Sequence, residues 1–586
     1  MNTQNQRKNL LYSPLKKQDQ ERKLKIAVVD IETRSLGKQN GEIEVKIIGY
    51  FNGKKDFYFS SIADFVNFLL SHNQRNYKIY AHNGGKFDFL PIAEELSRRK
   101  IPYHITQIAG RLAQIKIITG NNRVTLRDSI CILPDKLSRL AKAFGVVHQK
   151  GEIDFDKEEF DKTNPVHMKY LEHDLKGTYE VLTKFFNTEK VRDVTPKLTI
   201  ASTSLAVHRT TLKAPVRKSP NYIQNFCRQA YVGGRVEIFK HDGHNLNSYD
   251  FNSIYPFCMR SFPTPVEYIG EAQDYEDFGF HKVTIYCPKN INIPVLPIKI
   301  NGKLIFPTGL ITGIFFSEEI KLAISVGYKL IKYHYGEEFS REFDFFREYV
   351  DFFYKLRQEN KGTSLDYISK LFLNSLYGKF GQKEEFSSLQ TINFDNEVNG
   401  EIFGNEEIFN KFGLIVSTVK KRSPHMLVHI ASSITSHARI HLYRSGLSIC
   451  PDNIRYCDTD SLYTPGILET SRDLGRLKLE ESNIDYGYFR LPKTYALVKN
   501  GILKIKCKGF PEKLLENITL DQFKNSKLEL SRIKVLGFKS AIKRFNSSFV
   551  ETEFKKSLQS CYDKRKTLAN GIDTRPWHLN KEGKLI

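Results

Sequence analysis

The sequence predicts a multidomain protein of mixed α/β and α+β class. Three observations lead there. Apolar strand patterns end in acidic residues, as in Leu24–Glu32 and in Lys78–Asp88, and the second runs on into a helical stretch. Far along the chain, Arg455-Tyr456-Cys457-Asp458-Thr459-Asp460-Ser461-Leu462-Tyr463 reads as a tight strand–turn–strand hairpin. At 586 residues, the chain has material for several domains, each with its own core.

Composition narrows the partners. Lys and Arg number 89 against 66 Asp and Glu, a net charge of +23 spread along the whole chain. So extended a basic excess suits a polyanion. The 29 Tyr and 42 Phe suit stacking on unpaired bases, although most belong to cores. The eight cysteines form no CxxC pair, which disfavours a zinc ribbon and suits a reducing compartment. No apolar run approaches the roughly 18–20 residues of a membrane span. The N-terminus lacks a signal-peptide core; its basic residues Arg7, Lys8, Lys16 and Lys17 are interrupted by Asp19 and Glu21.

Taken in order, the strand Leu24–Thr33 places Asp30 and Glu32 on one face with Ile31 toward the core. Lys78–His82 is a second strand that enters Asn83-Gly84-Gly85-Lys86-Phe87-Asp88, whose glycines permit a sharp turn before a helix from Phe89 to Leu96. Tyr170 and Asp174 stand at i and i+4 of a helix, on one face. Asp30, Glu32, Asp88 and Asp174 could hold two Mg²⁺ bracketing an attack by water on phosphate, with Tyr170 orienting that water. Any one of these acids alone reads as a solvated surface residue.

The second set is spread more widely. Tyr231-Val232-Gly233-Gly234-Arg235 allows close approach of backbone to a ligand, as an ordinary glycine turn would. Asp250 follows a short strand in Ser248–Pro256. Lys370, Asn374 and Tyr377 fall at i, i+4 and i+7 of one helical stripe, able to meet phosphate, sugar and base in turn. In extended chain, Asp458 and Asp460 point to one side and present two carboxylates at the hairpin tip; an Asx-rich surface turn would read the same way.

Together and in this order the segments resemble the family B DNA polymerases, and within them the protein-primed subgroup of linear plasmids and small linear phage genomes. The D-x-E, N-x(2–3)-F-D and Y-x(3)-D segments resemble the 3′–5′ exonuclease motifs of an RNase H-like domain. Asp250-Phe251-Asn252-Ser253-Ile254-Tyr255-Pro256 resembles motif A, Lys370–Gly381 motif B and Asp458-Thr459-Asp460 motif C of a right-hand polymerase with palm, fingers and thumb. The resemblance implies Asp250, Phe251 and Asp460 as metal ligands, with Asp458 beside them. It implies Tyr255 as the wall excluding a 2′-OH, and Lys370, Asn374, Tyr377 and Gly378 around the incoming nucleotide. Arg357 is a second candidate triphosphate contact, or a solvated helix arginine.

The same resemblance implies DNA contacts at Asn83, Phe87, Ser129, Tyr231, Gly233, Gly234, Thr435, Arg439, Lys493 and Tyr495, and assistance to the exonuclease by Lys150, or else an exposed loop lysine. The expected division is a polar tail 1–23, exonuclease 24–190, palm 191–263, a first insertion 264–340 that docks a terminal protein, fingers 341–381, a second insertion 382–420 for processivity, palm 421–508 and thumb 509–586. Ordinary elaboration of the fingers is the alternative account of the insertions. Expected cofactors are two Mg²⁺ per site, with Mn²⁺ able to substitute. Expected partners are primer-template DNA, a single-stranded 3′ end and dNTPs, with the chain a monomer and no membrane.

Some 23 residues precede the first exonuclease strand, too few to fold alone, so the priming protein is expected as a separate chain or as a piece cleaved from a longer precursor. The expected location is the mitochondrial matrix for a linear plasmid, otherwise the cytoplasm of a bacterial host. The competing functions are a nuclease or repair factor using only the first acid set, and a non-catalytic DNA-binding remnant of a mobile element.

Overall fold

The computed structural model describes residues 11–15, 25–33, 44–71, 74, 77–108, 110–119, 122–153, 158–383, 385–391, 407–409, 414–420, 426–525, 528–535, 551–557 and 562–586. Its first module is built on a sheet in which Ile26–Thr33 runs parallel to Lys78–Ala81, and that strand runs parallel to Asn122–Asp128. Val45–Phe51 and Asp56–Phe59 extend it on one side, Arg111–Thr119 and Tyr103–Ile108 on the other. Buried on both faces, Ile26–Val29 and Ile79–Ala81 read as continuous apolar runs. The helix Pro165–Phe186 lies against Ile26–Thr33 and Val45–Phe51. Pro165 stands in its first turn, and the Asn164 side chain accepts from the Val166 N–H at 2.9 Å. Gly49 lets this helix approach, since a Cβ there would stand 2.6 Å from Leu175 Cδ1.

The second module is a seven-stranded sheet ordered Val236–Ile238, Tyr456–Asp458, Ser461–Thr464, Asp242–Phe251, Leu477–Leu491, Thr494–Lys499, Ile502–Cys507. Each neighbouring pair is antiparallel. The helices Val428–Leu442 and Ile254–Ser261 pack on each other beside it. The helices Arg347–Glu359 and Ser364–Ser375 form an antiparallel hairpin joined to the rest through Ile200–Thr211 and Leu137–Phe144.

Four expectations change. The single helical stripe through Tyr377 is broken: the Ser364–Ser375 helix stops before Leu376, and Tyr377–Phe380 is a separate turn. The stretch before residue 24 is not only a polar tail. Leu11–Tyr12 pairs with Val216–Arg217, and the buried Tyr12 hydroxyl meets His208 Nδ1 at 2.8 Å. Residues 509–586 do not form one unit. Glu529–Val535 and Glu551–Ser557 make a hairpin, whereas His578–Leu579 returns to add a parallel strand to the sheet of segment 264–340. Finally, Glu385–Thr391 pairs with Tyr103–Ile108, so the described part of segment 382–420 continues the first module's sheet. The rest of that segment lies outside the described residues.

What fixes the C-terminal return is Arg565, which has no exposed surface. Its Nε donates to Thr574 Oγ1 at 2.9 Å and its Nη2 to the Asn292 carbonyl at 3.0 Å, and Nη1 lies 3.9 Å from the buried Glu237 carboxylate. Glu237 is also paired with Arg235 at 2.8 Å. A guanidinium out of water needs this countercharge and these acceptors. The Trp577 indole donates to the Asp563 carbonyl at 2.9 Å, and its own carbonyl accepts from the Thr308 N–H at 2.9 Å.

Candidate active sites

The first acid set gathers where the parallel strands end. Asp30 and Glu32 leave the strand on the side away from buried Ile31. The Ile31 N–H donates to Asp88 Oδ1 at 2.9 Å, which ties the second acid segment to the first. The turn between them needs its glycines: Asn83 is left-handed at φ 67°, and a Cβ on Gly85 would stand 2.3 Å from the Leu112 carbonyl oxygen. Asp174 projects from the long helix, paired with Lys150 Nζ. Lys150 Nζ also lies 4.6 Å from the centre of the Tyr170 ring.

Burial, and then the neighbouring carboxylates, push the acids up: Asp30 well above the carboxylate range, Glu32 to about 8 and Asp88 to about 7. Asp174 is raised by burial against the pull of Lys150. Burial opposes the Lys150 charge, but Asp174, Tyr170 and Asp30 outweigh it and keep Nζ protonated.

Among the described residues no group of three or more His, Cys, Asp or Glu stands at ligating geometry. The donor set nevertheless fits a hard cation. The groups are all oxygens, they repel one another, and Asp174 Oδ1 is buried with no hydrogen-bond partner among the described residues. A consequence is measurable. Glu32 and Asp88 stay protonated in the native state to about pH 8 and 7, while the unfolded chain has lost those protons above about pH 5. The native state therefore binds more protons across that window, and the metal-free protein should melt at lower temperature as pH rises through it. Mg²⁺ should restore melting temperature more at pH 8 than at pH 5; a pH-independent effect would contradict this account.

The second acid set lies on the seven-stranded sheet, where Asp250 pairs with Ser461, the first residue of the strand between those of Asp250 and Asp458. Asp458 ends its strand, Thr459 is left-handed at φ 63°, and the Asp460 N–H donates to the Asp458 carbonyl at 2.6 Å. The two carboxylates are thus not alternate residues of one extended strand; a turn brings the second back over the sheet. Burial, followed by Asp250 and Asp458, raises Asp460 to about 6. Asp250 is raised by burial against the pull of Lys478, whose Nζ lies 3.5 Å away, and Lys370 adds to that pull. Lys493 Nζ stands 3.0 Å from Asp458, and the Lys493 N–H donates to the Tyr456 hydroxyl at 2.9 Å. The Phe251 side chain is buried, leaving only its backbone to serve a ligand, and its N–H donates to the Asp460 carbonyl at 2.7 Å.

Beside these acids, Tyr255 and Tyr377 stack with centroids 4.3 Å apart and planes at 21°. Lys370 and Asn374 are exposed on the neighbouring helix, and a Cβ on Gly378 would meet open space. Arg357 bonds Asp366 at 3.1 Å and the Ser253 hydroxyl at 2.9 Å, so it braces motif A instead of standing free in solvent.

Four residues expected at DNA, Ser129, Thr435, Arg439 and Tyr495, are enclosed by the protein. Ser129 is 1% exposed; its hydroxyl meets His82 Nδ1 at 2.9 Å and the Ala81 carbonyl at 3.3 Å, so it holds the strand end and offers no surface to DNA. Thr435 is buried and bonded to the Ser432 carbonyl at 3.0 Å. Arg439 is 4% exposed and spends its donors inside the protein. Tyr495 is buried, its hydroxyl 3.1 Å from that of Tyr463. Tyr231 packs on Gly381, where a Cβ would stand 2.4 Å from its ring, while a Cβ on Gly233 would meet nothing. Asn83 accepts from Arg111 at 3.2 Å, and Phe87 is partly buried against the first core.

Sequence reasoning missed Lys478, Glu319, Glu237 and the Arg111–Asp128 pair at 2.7 Å. The Lys478-Leu479-Glu480 alternation was the one legible signal, since it puts two charges on one strand face.

This is an RNase H-like module joined to a right-hand fold, with one acid cluster in each. The chain belongs to the family described as DNA polymerase type B, organellar and viral, whose model matches residues 69–167 and 156–470. It is similar to a probable DNA polymerase of Neurospora intermedia, 29% identical over 87% of this chain and 62% of that protein. A DNA-directed DNA polymerase of Enterobacteria phage PRD1 is 27% identical over 83% of this chain and 85% of that one. The solved ternary complex of Phi29 DNA polymerase superposes with a TM-score of 0.73 at 20% identity, covering 92% of this chain and all of that one. The chain spans between about half and two thirds of the length of its fungal relatives.

Proposed function

We propose that the chain is a DNA-directed DNA polymerase with 3′–5′ exonuclease activity, of the protein-primed kind. One observation carries the reading: Asp460 interacts electrostatically with Asp250 and with both rings of the Tyr255–Tyr377 stack, so carboxylates and an aromatic pair stand together. Two Mg²⁺ held there by Asp250, Asp460 and the Phe251 carbonyl would neutralise the charge that develops on a transferring phosphoryl group. Lys370 faces the triphosphate, Tyr377 the base and Tyr255 the sugar. The other acids, with Tyr170 and Lys150, serve hydrolysis of an unpaired 3′ end. The test is primer extension by the purified chain with Mg²⁺ and dNTPs; no extension on any primer-template would overturn the assignment.

Tyr255 supplies a sharper test. Tyr255→Val removes the aromatic wall and leaves the carboxylates. Ribonucleotide incorporation relative to deoxyribonucleotide should rise by roughly one to two orders of magnitude, as an unopposed 2′-OH now fits. An unchanged ratio would remove Tyr255 from the gate.

Priming by a separate terminal protein docked on segment 264–340 is part of the same proposal. Incubation with candidate proteins and a labelled dNTP should give a protein–nucleotide adduct. Deleting the segment is a poor control, because Glu319 and Pro294 within it bond Arg439 and Arg235. Charge reversal at surface Lys332 and Lys329 is the better one: adduct should fall while extension of a DNA primer persists. A mitochondrial address, as the replicase of a linear plasmid, is tested by fractionation of the source cells.

A further inference from the structure

The loop Val232–Arg235 belongs to no strand or helix, yet it carries the motif C turn. The Thr459 N–H donates to the Arg235 carbonyl at 2.7 Å. A Cβ on Gly234 would stand 2.7 Å from Thr459 Cγ2, so loop and turn are in van der Waals register with no slack. Thr459 is itself held in the left-handed region at φ 63°, uncommon for a β-branched residue, which requires support from outside the turn.

That support traces to one arginine. Arg439 Nη1 donates to the carbonyls of Val232 at 2.9 Å and Gly233 at 3.0 Å. These are backbone acceptors that no sheet satisfies. Arg439 in turn is aimed by Glu319: Oε1 accepts from Arg439 Nε at 2.9 Å, and Oε2 accepts from the Ser436 hydroxyl at 2.8 Å, while that same hydroxyl accepts from Arg439 Nη2 at 2.9 Å. Glu319 is 2% exposed and comes from the helix Ser317–Ser325 of segment 264–340, not from the module that bears the acids. A lone guanidinium could not stay in this interior without a countercharge.

We propose that Glu319 is a positioning residue for nucleotide transfer: by holding Arg439 on the Val232 and Gly233 carbonyls, it sets the height of the Thr459 turn and hence of the Asp460 carboxylate over Asp250. The proposal rests on the reading of Asp250 and Asp460 as the polymerising acids. It also makes the seating of segment 264–340 a determinant of the chemical step.

The experiment is single-turnover incorporation of one dNTP on primer-template DNA with Mg²⁺, for the full chain. Glu319→Gln keeps the shape and removes the charge. The maximal incorporation rate should fall by roughly tenfold to a hundredfold, as expected of a displaced catalytic group, with the apparent dNTP affinity held within about twofold. The Mg²⁺ concentration for half-maximal rate should rise, and Glu319→Asp should recover part of the rate.

Because Glu319→Gln leaves Arg439 without its partner and could unfold the chain, the double variant Glu319→Leu with Arg439→Met is made beside it. It removes both charges and lets the interior repack. Its melting temperature should approach wild type while its maximal rate stays low, because the loop carbonyls still lack their donor. A wild-type rate in either folded variant, or a rate in the double variant that recovers with its melting temperature, would overturn the proposal. Failure of the wild-type chain to incorporate any nucleotide would instead sink the polymerase reading, and this proposal with it.

Discussion

Asp460→Ala should lower primer extension by roughly a thousandfold or more, the loss expected when a group that stabilises developing phosphoryl charge is removed. Degradation of single-stranded DNA should be unchanged. The separation follows from the fold. Asp460 sits in the turn between Tyr456–Asp458 and Ser461–Thr464, on the seven-stranded sheet, and the first acid set gathers at the end of a strand in a different sheet. Alanine leaves the Asp460 backbone bonds to Asp458 and Phe251 available, so the turn survives the substitution. Taking away a carboxylate held at about 6 by burial and by Asp250 and Asp458 also relieves repulsion. The variant should therefore be no less stable than wild type without metal. Extension at near wild-type rate by the purified variant would remove Asp460 from the site; loss of both activities together would show damage to the fold.

How much of this could be read in advance depends on how local the signal is. Asp30 and Glu32, the Asn83–Asp88 turn, and the Asp458–Ser461 hairpin are each set by a few adjacent residues, whose alternation and glycines are visible in one dimension. The Tyr255–Tyr377 stack was within reach only because each tyrosine lies in a short pattern of its own. What escaped is carried by pairs far apart in the chain. Arg439 resembles a DNA-contacting arginine in every local respect, and only its buried partner Glu319 makes it internal. The same holds for Arg565, one basic residue among many until Glu237 and Asn292 close around it. Ser129 and Tyr495 likewise lie in recognisable segments, but their burial is decided by His82 and Tyr463. The return of His578–Leu579 to the 264–340 sheet is two residues long and has no periodicity to announce it.

The double variant Asp30→Ala with Glu32→Ala should lose exonuclease activity by three or more orders of magnitude and keep synthesis, on the roughly hundred- to thousandfold scale of removing each charge-stabilising group. Both residues belong to one strand end, and their charges meet those of Asp88 and Asp174 there. With two of four carboxylates gone, only Asp88 and Asp174 remain, and each has one oxygen already engaged: Asp88 Oδ1 accepts from the Ile31 N–H at 2.9 Å, and Asp174 Oδ2 is paired with Lys150. Too few oxygen donors are left to hold a pair of divalent cations over a scissile phosphate. Unlike most changes to buried polar groups, this one should not destabilise the metal-free protein at pH 8. In that state, two acids held far above their usual range are replaced by small apolar side chains beside a strand that Ile31 and the Pro165–Phe186 helix already hold. Melting temperature in chelator at pH 8 should equal or exceed that of wild type, and Mg²⁺ should raise it less. Retained digestion of single-stranded DNA by a variant with that stability profile would place the nuclease chemistry at other residues.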